Sequence, residues 1–390
     1  VINPLHEEGL RKFRVPSDAR SLLFGSKISD CYVQPNIGGD TALLIGILKW
    51  LIEHDGLQQS FIEQHSEGFD DVIEQATNTS WEWIVTHSGV QHEEICEVAR
   101  LYRESNSTIF CWAMGITHGK GGVDTVRMIA NVAIARGMVG KDGAGLLPLR
   151  GHSNVQGMGT IGVAPKLKPG MAAAIEKEFG ITLPTTTGGD TMACMEASFA
   201  GNIEYAMCLG GNLLGANPDT RFAIDAMSKI SLVSYMSTTL NQGHFLGRGN
   251  ETIILPVLAR DEENQITTQE SMFNYVRRSE GGNARHEGPR SEVSVIVDLA
   301  QSGVGIIDWE QYQDHDAIRS LLATCVPGFD ANEEHQLPGR IFHTPKFNTP
   351  TGKIQAHSVQ PLTPKHVAEN QLRIMTIRSE GQFNTVVYEE

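Results

Sequence analysis

The sequence holds no Cys-x-x-Cys pair. Its six cysteines stand at 31, 96, 111, 194, 208 and 325. That spacing is too wide for the usual zinc or iron–sulfur ligand sets. Nor does it suggest a disulfide framework, which fits a reducing compartment and, with it, a cytoplasmic location. No apolar run reaches the length of a membrane span. Positive charge is scarce: 31 Lys and Arg face 46 Asp and Glu, for a net charge of -15. This argues against nucleic acid or anionic lipid as the main partner. It leaves room for a bound anion, because local cations and backbone N–H groups can hold one inside an acidic protein. There is no internal repeat, no low-complexity tract, no Gly-x-Ser-x-Gly elbow and no His-Glu-x-x-His helix. A starting Met is also missing. Val1-Ile2-Asn3-Pro4 reads as the end of a strand, and 385–390 as a strand cut short, so an internal piece of a longer protein is expected.

Glycine, by contrast, is abundant, with 40 in 390 residues. It concentrates around Leu149-Arg150-Gly151-His152-Ser153-Asn154-Val155-Gln156-Gly157, with Gly140-Lys141-Asp142-Gly143-Ala144-Gly145 just upstream. Backbone this rich in glycine passes close to something or adopts positive φ. Arg150 carries a fixed fork of donors suited to a carboxylate or phosphate. Together with His152, Asn154 and Gln156 it reads as a ligand wall between two α/β segments.

The rest of the chain supports that division. Gly38-Gly39-Asp40-Thr41 opens a helix over 42–53, with Asp40 or Thr41 as its cap, and Asp40 is alternatively an acceptor for a nucleotide base or ribose. Helices are expected over 61–75 and 88–105. A buried strand at 108–114 runs into Gly115-Ile116-Thr117-His118-Gly119-Lys120-Gly121-Gly122 and a helix over 123–137. Strand, Gly-rich turn and helix N-terminus make an anion seat, although the spacing fits neither the dinucleotide fingerprint nor the Walker pattern. The unit recurs: strand 205–209, then Gly210-Gly211-Asn212, then helix 220–229. A strand at 231–237 ends in Thr238-Thr239-Leu240-Asn241-Gln242-Gly243-His244. Such alternation implies parallel sheets with ligands at the carboxyl ends of the strands. Cys111 and Cys208, inside apolar runs, are expected to be buried thiols. His286, His315 and His335 lack partners at metal spacing and read as surface residues. Residues 347–354 have the look of a tight hairpin, and a strand at 372–377 ends in Arg378-Ser379-Glu380-Gly381-Gln382-Phe383.

In their order, these pieces resemble the molybdopterin oxidoreductases, in particular the formate-dehydrogenase-like branch. The resemblance rests on Ile2-Asn3-Pro4-Leu5, Gly39-Asp40-Thr41-Ala42-Leu43, Met114-Gly115-Ile116-Thr117, the stretch from Gly137 to Gly157, and Leu209-Gly210-Gly211-Asn212. Ile254-Leu255-Pro256, Phe347 to Lys353 and Ile377 to Phe383 complete the set. It spans nearly the whole chain, and its strength lies in the order rather than in any one motif.

The resemblance implies an α/β fold of two Rossmann-like parallel-sheet domains with a smaller polar insertion. Residues 1–150 would form the first, 151–258 and 341–370 the second, 259–340 the insertion, and 371–390 the start of a C-terminal cofactor domain. It implies two molybdopterin guanine dinucleotides with molybdenum or tungsten, and oxidation of a small substrate such as formate. Asp40 would bind guanine. Asn3, Gly115, Thr117, His118, Lys120, Asn154, Gln156, Gly211, Asn212, Thr238, Asn241, His244, Arg378, Gln382 and Phe383 would line pterin or phosphates. Arg150 would stand beside the metal and orient a carboxylate, with His152 handling a proton. An electron-transfer protein would be the partner. The family's iron–sulfur cysteines and its metal-ligating Cys, Sec or Ser have no counterpart here, so a 4Fe-4S cluster is expected only in a preceding segment. The competing reading is a scaffold or interaction subunit that keeps the fold without the chemistry.

Overall fold

The computed structural model describes residues 1–339, 343–361 and 370–371, together with the backbone of 382–383 and 386–387. The chain divides into two compact units. Residues 1–150 and 341–376 make the first, and 151–340 and 377–390 the second.

The first unit is built on helix α1 (Asp40–Glu53), in which every residue from Thr41 to Leu51 is buried. A helix apolar on all sides belongs in the middle of a core. Around it lie α2 (Gln59–His65), α3 (Phe69–Asn78), α4 (Trp81–Ser88), α5 (His92–Glu104) and α6 (Gly122–Ala135). Gly46 lets Ile84 and Ile95 come close: a Cβ there would sit 2.8 and 3.0 Å from their methyl groups. Lys49 is buried along its stem, yet its Nζ reaches the Thr77 carbonyl at 2.9 Å and Glu53 at 3.3 Å.

The expected helix over 61–75 is broken. Strand β1 (Ser66–Glu67) and a left-handed Gly68 separate α2 from α3. The break exists because β1 pairs in parallel with β10 (Ile354–Gln355), which also ties this late segment to the first unit. Residues 343–361 therefore pack with the first unit rather than returning to the second. The turn before β10 forms at Thr349–Gly352, but its exit strand joins β1 instead of closing a hairpin.

A second parallel pair in the first unit joins β2 (Ile109–Trp112) to β3 (Gly145–Pro148). Cys111 is exposed, because alternate side chains of β2 point away from the core and Ile109 on the same face is 52% exposed.

In the second unit, β4 (Tyr205–Leu209), β5 (Leu232–Ser237) and β6 (Glu251–Pro256) form a parallel sheet in the order β4-β5-β6. Helices α7 (Thr191–Phe199) and α8 (Thr220–Met227) cover one face, where Met195, Ala223, Ala226, Met227, Val233 and Tyr235 make the core. On the other face Met236 and Val257 pack against Val295 of α9 (Glu292–Gly303). Cys208 is half-buried. The inserted region forms an antiparallel sheet of β7 (Thr267–Glu270), β8 (Tyr275–Ser279) and β9 (His335–Gln336). Helix α10 (His315–Cys325) lies in the same region, where Val276, Val326 and Leu337 form a small core.

His315 is not a surface residue. It is 7% exposed, and its Nδ1 lies 3.2 Å from the Ile266 carbonyl. Together these features give an α/β fold with two Rossmann-like parallel-sheet units and a smaller polar insertion.

Candidate functional site

In the first unit one end of the β2–β3 sheet gathers the expected residues. The strands run parallel in register from Ile109 with Gly145 to Trp112 with Pro148. The Leu149 N–H then donates to the Trp112 carbonyl at 2.7 Å. Arg150 therefore leaves the sheet beside the start of the 113–121 segment. That segment makes one helical turn, Met114–Thr117, and reaches α6 through a left-handed Gly121. Gly115, Thr117, His118 and Lys120 are all exposed on it. The side chains of Arg150, His118 and Lys120 make no hydrogen bond or ion pair among the described residues, so their donors are free for a ligand.

The glycines of this segment have different causes. A Cβ at Gly122 would meet the Ile116 and Thr117 carbonyls at 2.7 and 2.8 Å, so the fold itself requires glycine there. A Cβ at Gly115 would meet nothing within 4 Å. The fold makes no such demand at Gly115, and open room over the loop is what a ligand needs.

Asp40 lies at the first turn of α1, but the helix cap is Gly39 and no side-chain cap bond forms. The Thr41 hydroxyl meets that of Thr125 at 2.9 Å, which ties the N-terminus of α1 to that of α6. Burial raises the Asp40 pKa above the ordinary carboxylate value, opposed by a hydrogen bond to its own backbone. A helix N-terminus normally favours a carboxylate, so desolvation outweighs that help. Asp40 is a carboxylate held at some cost to the fold, as functional acids often are. Asn3 serves its own turn, donating from Nδ2 to Glu7 at 2.6 Å.

In the second unit the loops after β4 and β5 converge. The Gly210 N–H donates to the Met236 carbonyl at 2.8 Å. Gly210 and Gly211 have φ of 62° and 68°, a pair of left-handed residues that favours glycine. The Asn212 side-chain oxygen accepts from the Gly215 N–H at 3.0 Å. Its amide also fills the space beside Gly243, where a Cβ would lie 2.5 Å from that oxygen. The Asn241 oxygen accepts from the Gly243 N–H at 2.8 Å. The Asn241 N–H donates to His244 Nδ1 at 3.1 Å. An accepting Nδ1 fixes the neutral ring with its proton on Nε2. Burial lowers the His244 pKa, in the same sense. Gly211, Asn212, Asn241 and His244 are thus one interlocked cluster, and the exposed Thr238 lies on the same loop.

At the start of this unit His152 is exposed and Gln156 half-exposed. Asn154 has φ 60°, and its oxygen accepts from the Glu270 N–H at 3.0 Å, which pins this loop to β7. Its Nδ2 donors remain. Arg378 lies outside the described residues. Gln382 and Phe383 fall in a two-residue strand whose side chains are not described. Sequence reasoning placed Thr41 beside Asp40 and Gly243 within the 238–244 loop, but it missed Thr125, whose contact with Thr41 spans 84 positions. Among the described residues no group of three or more His, Cys, Asp or Glu could hold a metal ion, and no helix is long and apolar enough to cross a membrane.

The fold and its two loop clusters define an α/β protein with glycine-containing polar loops at the carboxyl ends of parallel strands, where ligands of such folds commonly bind. In fold the chain is similar to acetylene hydratase from Pelobacter acetylenicus, with a TM-score of 0.55 and 16% identity over 84% of this chain and 49% of that one. In sequence it is 34% identical, along its whole length, to an uncharacterized oxidoreductase of Mycobacterium tuberculosis, and covers 53% of it. The chain thus spans about half the length of such relatives. Over 52% of this chain it is 28% identical to 21% of YrhE of Bacillus subtilis, provisionally named a formate dehydrogenase. No protein-family model matches the chain.

Proposed function

We propose that the chain is the catalytic part of a molybdenum- or tungsten-dependent oxidoreductase. It would hold two molybdopterin guanine dinucleotides and oxidise a small substrate such as formate. The observation that carries the reading is the free Arg150 fork. It sits at the carboxyl end of β3, beside a turn with uncommitted donors, in a chain whose relatives are named oxidoreductases.

The residues fit a large phosphate-bearing group. Lys120 and His118 stand free before the N-terminus of α6, and Gly115 leaves space above the turn. Paired left-handed glycines and the Asn212 cluster offer a second seat in the other unit. In this reading the pterins hold the metal on this side. Lys120, Thr117 and His118 would hold one dinucleotide, with Asp40 accepting from its guanine. Asn3, Asn154, Gln156, Gly211, Asn212, Thr238, Asn241, His244, Arg378, Gln382 and Phe383 would complete the two seats. The bound group supplies a two-electron redox centre. Arg150 orients the substrate carboxylate and stabilises its charge as it changes. His152, exposed on the same glycine-rich loop, takes up the released proton. The electrons would leave to a partner protein, in the cytoplasm.

Arg150→Ala in the natural full-length protein tests this. Pterin and metal content should stay near wild type, while formate-dependent dye reduction falls by about 10²–10³-fold, the size of one lost charge-stabilising donor. Unchanged turnover would remove Arg150 from the mechanism. A non-catalytic scaffold is the second reading, favoured by the use of the Asn154 and Asn212 oxygens within the fold itself. It predicts no turnover with any electron donor, Arg150 present or not.

A further inference from the structure

A cavity of about 280 Å³ lies in the first unit, at the carboxyl end of α6. The 14 residues of α6 separate it from the loop at Gly122, roughly 20 Å at 1.5 Å per residue. Gln58, Ser60, Gln64, His65, Arg136 and Lys141 line it, and among the described residues no carboxylate does. In a protein with 46 acids and 31 bases, such a lining is unusual.

The two cations hold the walls without being used up. Arg136 donates from its terminal nitrogens to the Gly56 carbonyl at 3.3 Å and the Ser105 carbonyl at 2.9 Å. Its Nε is enclosed and has no partner. One N–H on each terminal nitrogen also remains, since the guanidinium carries a fork of donors. Lys141 spends one ammonium hydrogen on the Asn106 carbonyl and keeps the others. The side chains of Gln58, Ser60 and Gln64 make no hydrogen bond among the described residues.

The walls are also fixed. Gly137 and Gly140 have φ of 63° and 69°. A Cβ at Gly137 would lie 3.1 Å from the Phe61 ring, and one at Gly140 would lie 2.6 Å from Pro345 backbone. The loop from 137 to 141 is therefore clamped on both sides.

We propose that this cavity binds a small phosphomonoester. Two full cations with no opposing carboxylate match a dianion better than a single carboxylate. The neutral amides and hydroxyl suit the remaining phosphate oxygens, and the volume exceeds that of the bare ion. The site is separate from the redox reading and does not rest on it.

The test is calorimetric titration of the full-length protein with inorganic phosphate and with glycerol phosphate, against sodium chloride at equal ionic strength. The expected result is saturable binding, tighter for glycerol phosphate, and weakened about tenfold or more in Lys141→Gln, by loss of one charge-assisted hydrogen bond, and in Gln64→Glu, by repulsion between the new carboxylate and the phosphate. Gln64→Glu keeps the test valid if Lys141→Gln misfolds, because the Gln64 side chain makes no hydrogen bond among the described residues. Absence of saturable binding overturns the proposal. So does binding that both variants leave unchanged, which would place the phosphate on the Gly115–Lys120 turn or elsewhere. Equal or weaker binding of glycerol phosphate would overturn the monoester assignment.

Discussion

At the scale of single residues, Asp40 and Arg150 bear opposite relations to the fold. Asp40 is a carboxylate in a place that disfavours its charge. A raised folded pKa means the folded state binds more protons than the unfolded chain. Stability therefore falls as pH rises from the ordinary Asp value through the raised one, and stays low above it. Asp40→Asn should raise the apo-protein's melting temperature at pH 7 and flatten that dependence, while lowering guanine recovered with the purified protein. Unchanged guanine content would count against the contact. His244 runs the other way. Its lowered pKa means the fold loses stability as pH drops through the region below the ordinary His value of about 6.5. Denaturant melts at stepped pH should show that loss in wild type and not in His244→Gln. The exposure of Arg150 was legible from sequence, because an Arg in a glycine-rich run is a local signal. The burial of His315 was not, since it depends on the Ile266 carbonyl, 49 positions away.

Among the elements, the turn between β2 and α6 is the one whose geometry the site depends on. Gly122→Ala would drive a methyl into two carbonyl oxygens. A destabilisation of about 1–3 kcal/mol is expected, as for other forced contacts in packed regions, and lower cofactor content should accompany it. Wild-type stability and cofactor content together would show that the turn relaxes freely. Helices α1 and α6 and strands β4 to β6 could be read from sequence, because apolar runs between glycine-rich turns are strong local patterns. The break at Gly68 could not. It is stabilised by pairing with Ile354–Gln355, nearly 290 positions later, and nothing within 61–75 signals a partner that remote. Cys111 was misjudged for a related reason: an apolar run predicts a strand but not which of its faces is covered.

For the whole molecule, the two parallel-sheet units are what the alternation of strands and helices predicted, and each places a glycine-containing loop cluster at its strands' carboxyl ends. The late segment around Ile354 was assigned to the wrong unit, because sequence order suggests a neighbour and only pairing decides one. In the proposed function these clusters seat two pterin dinucleotides carrying a metal. The most direct measurement is metal and pterin content of the natural full-length protein, purified from a host that makes the cofactor. Elemental analysis and the fluorescence of released, oxidised pterin supply both numbers. Molybdenum or tungsten with about two pterins per chain is expected, on the two seats proposed at strand ends. Neither metal nor pterin would contradict it and leave the scaffold reading in its place.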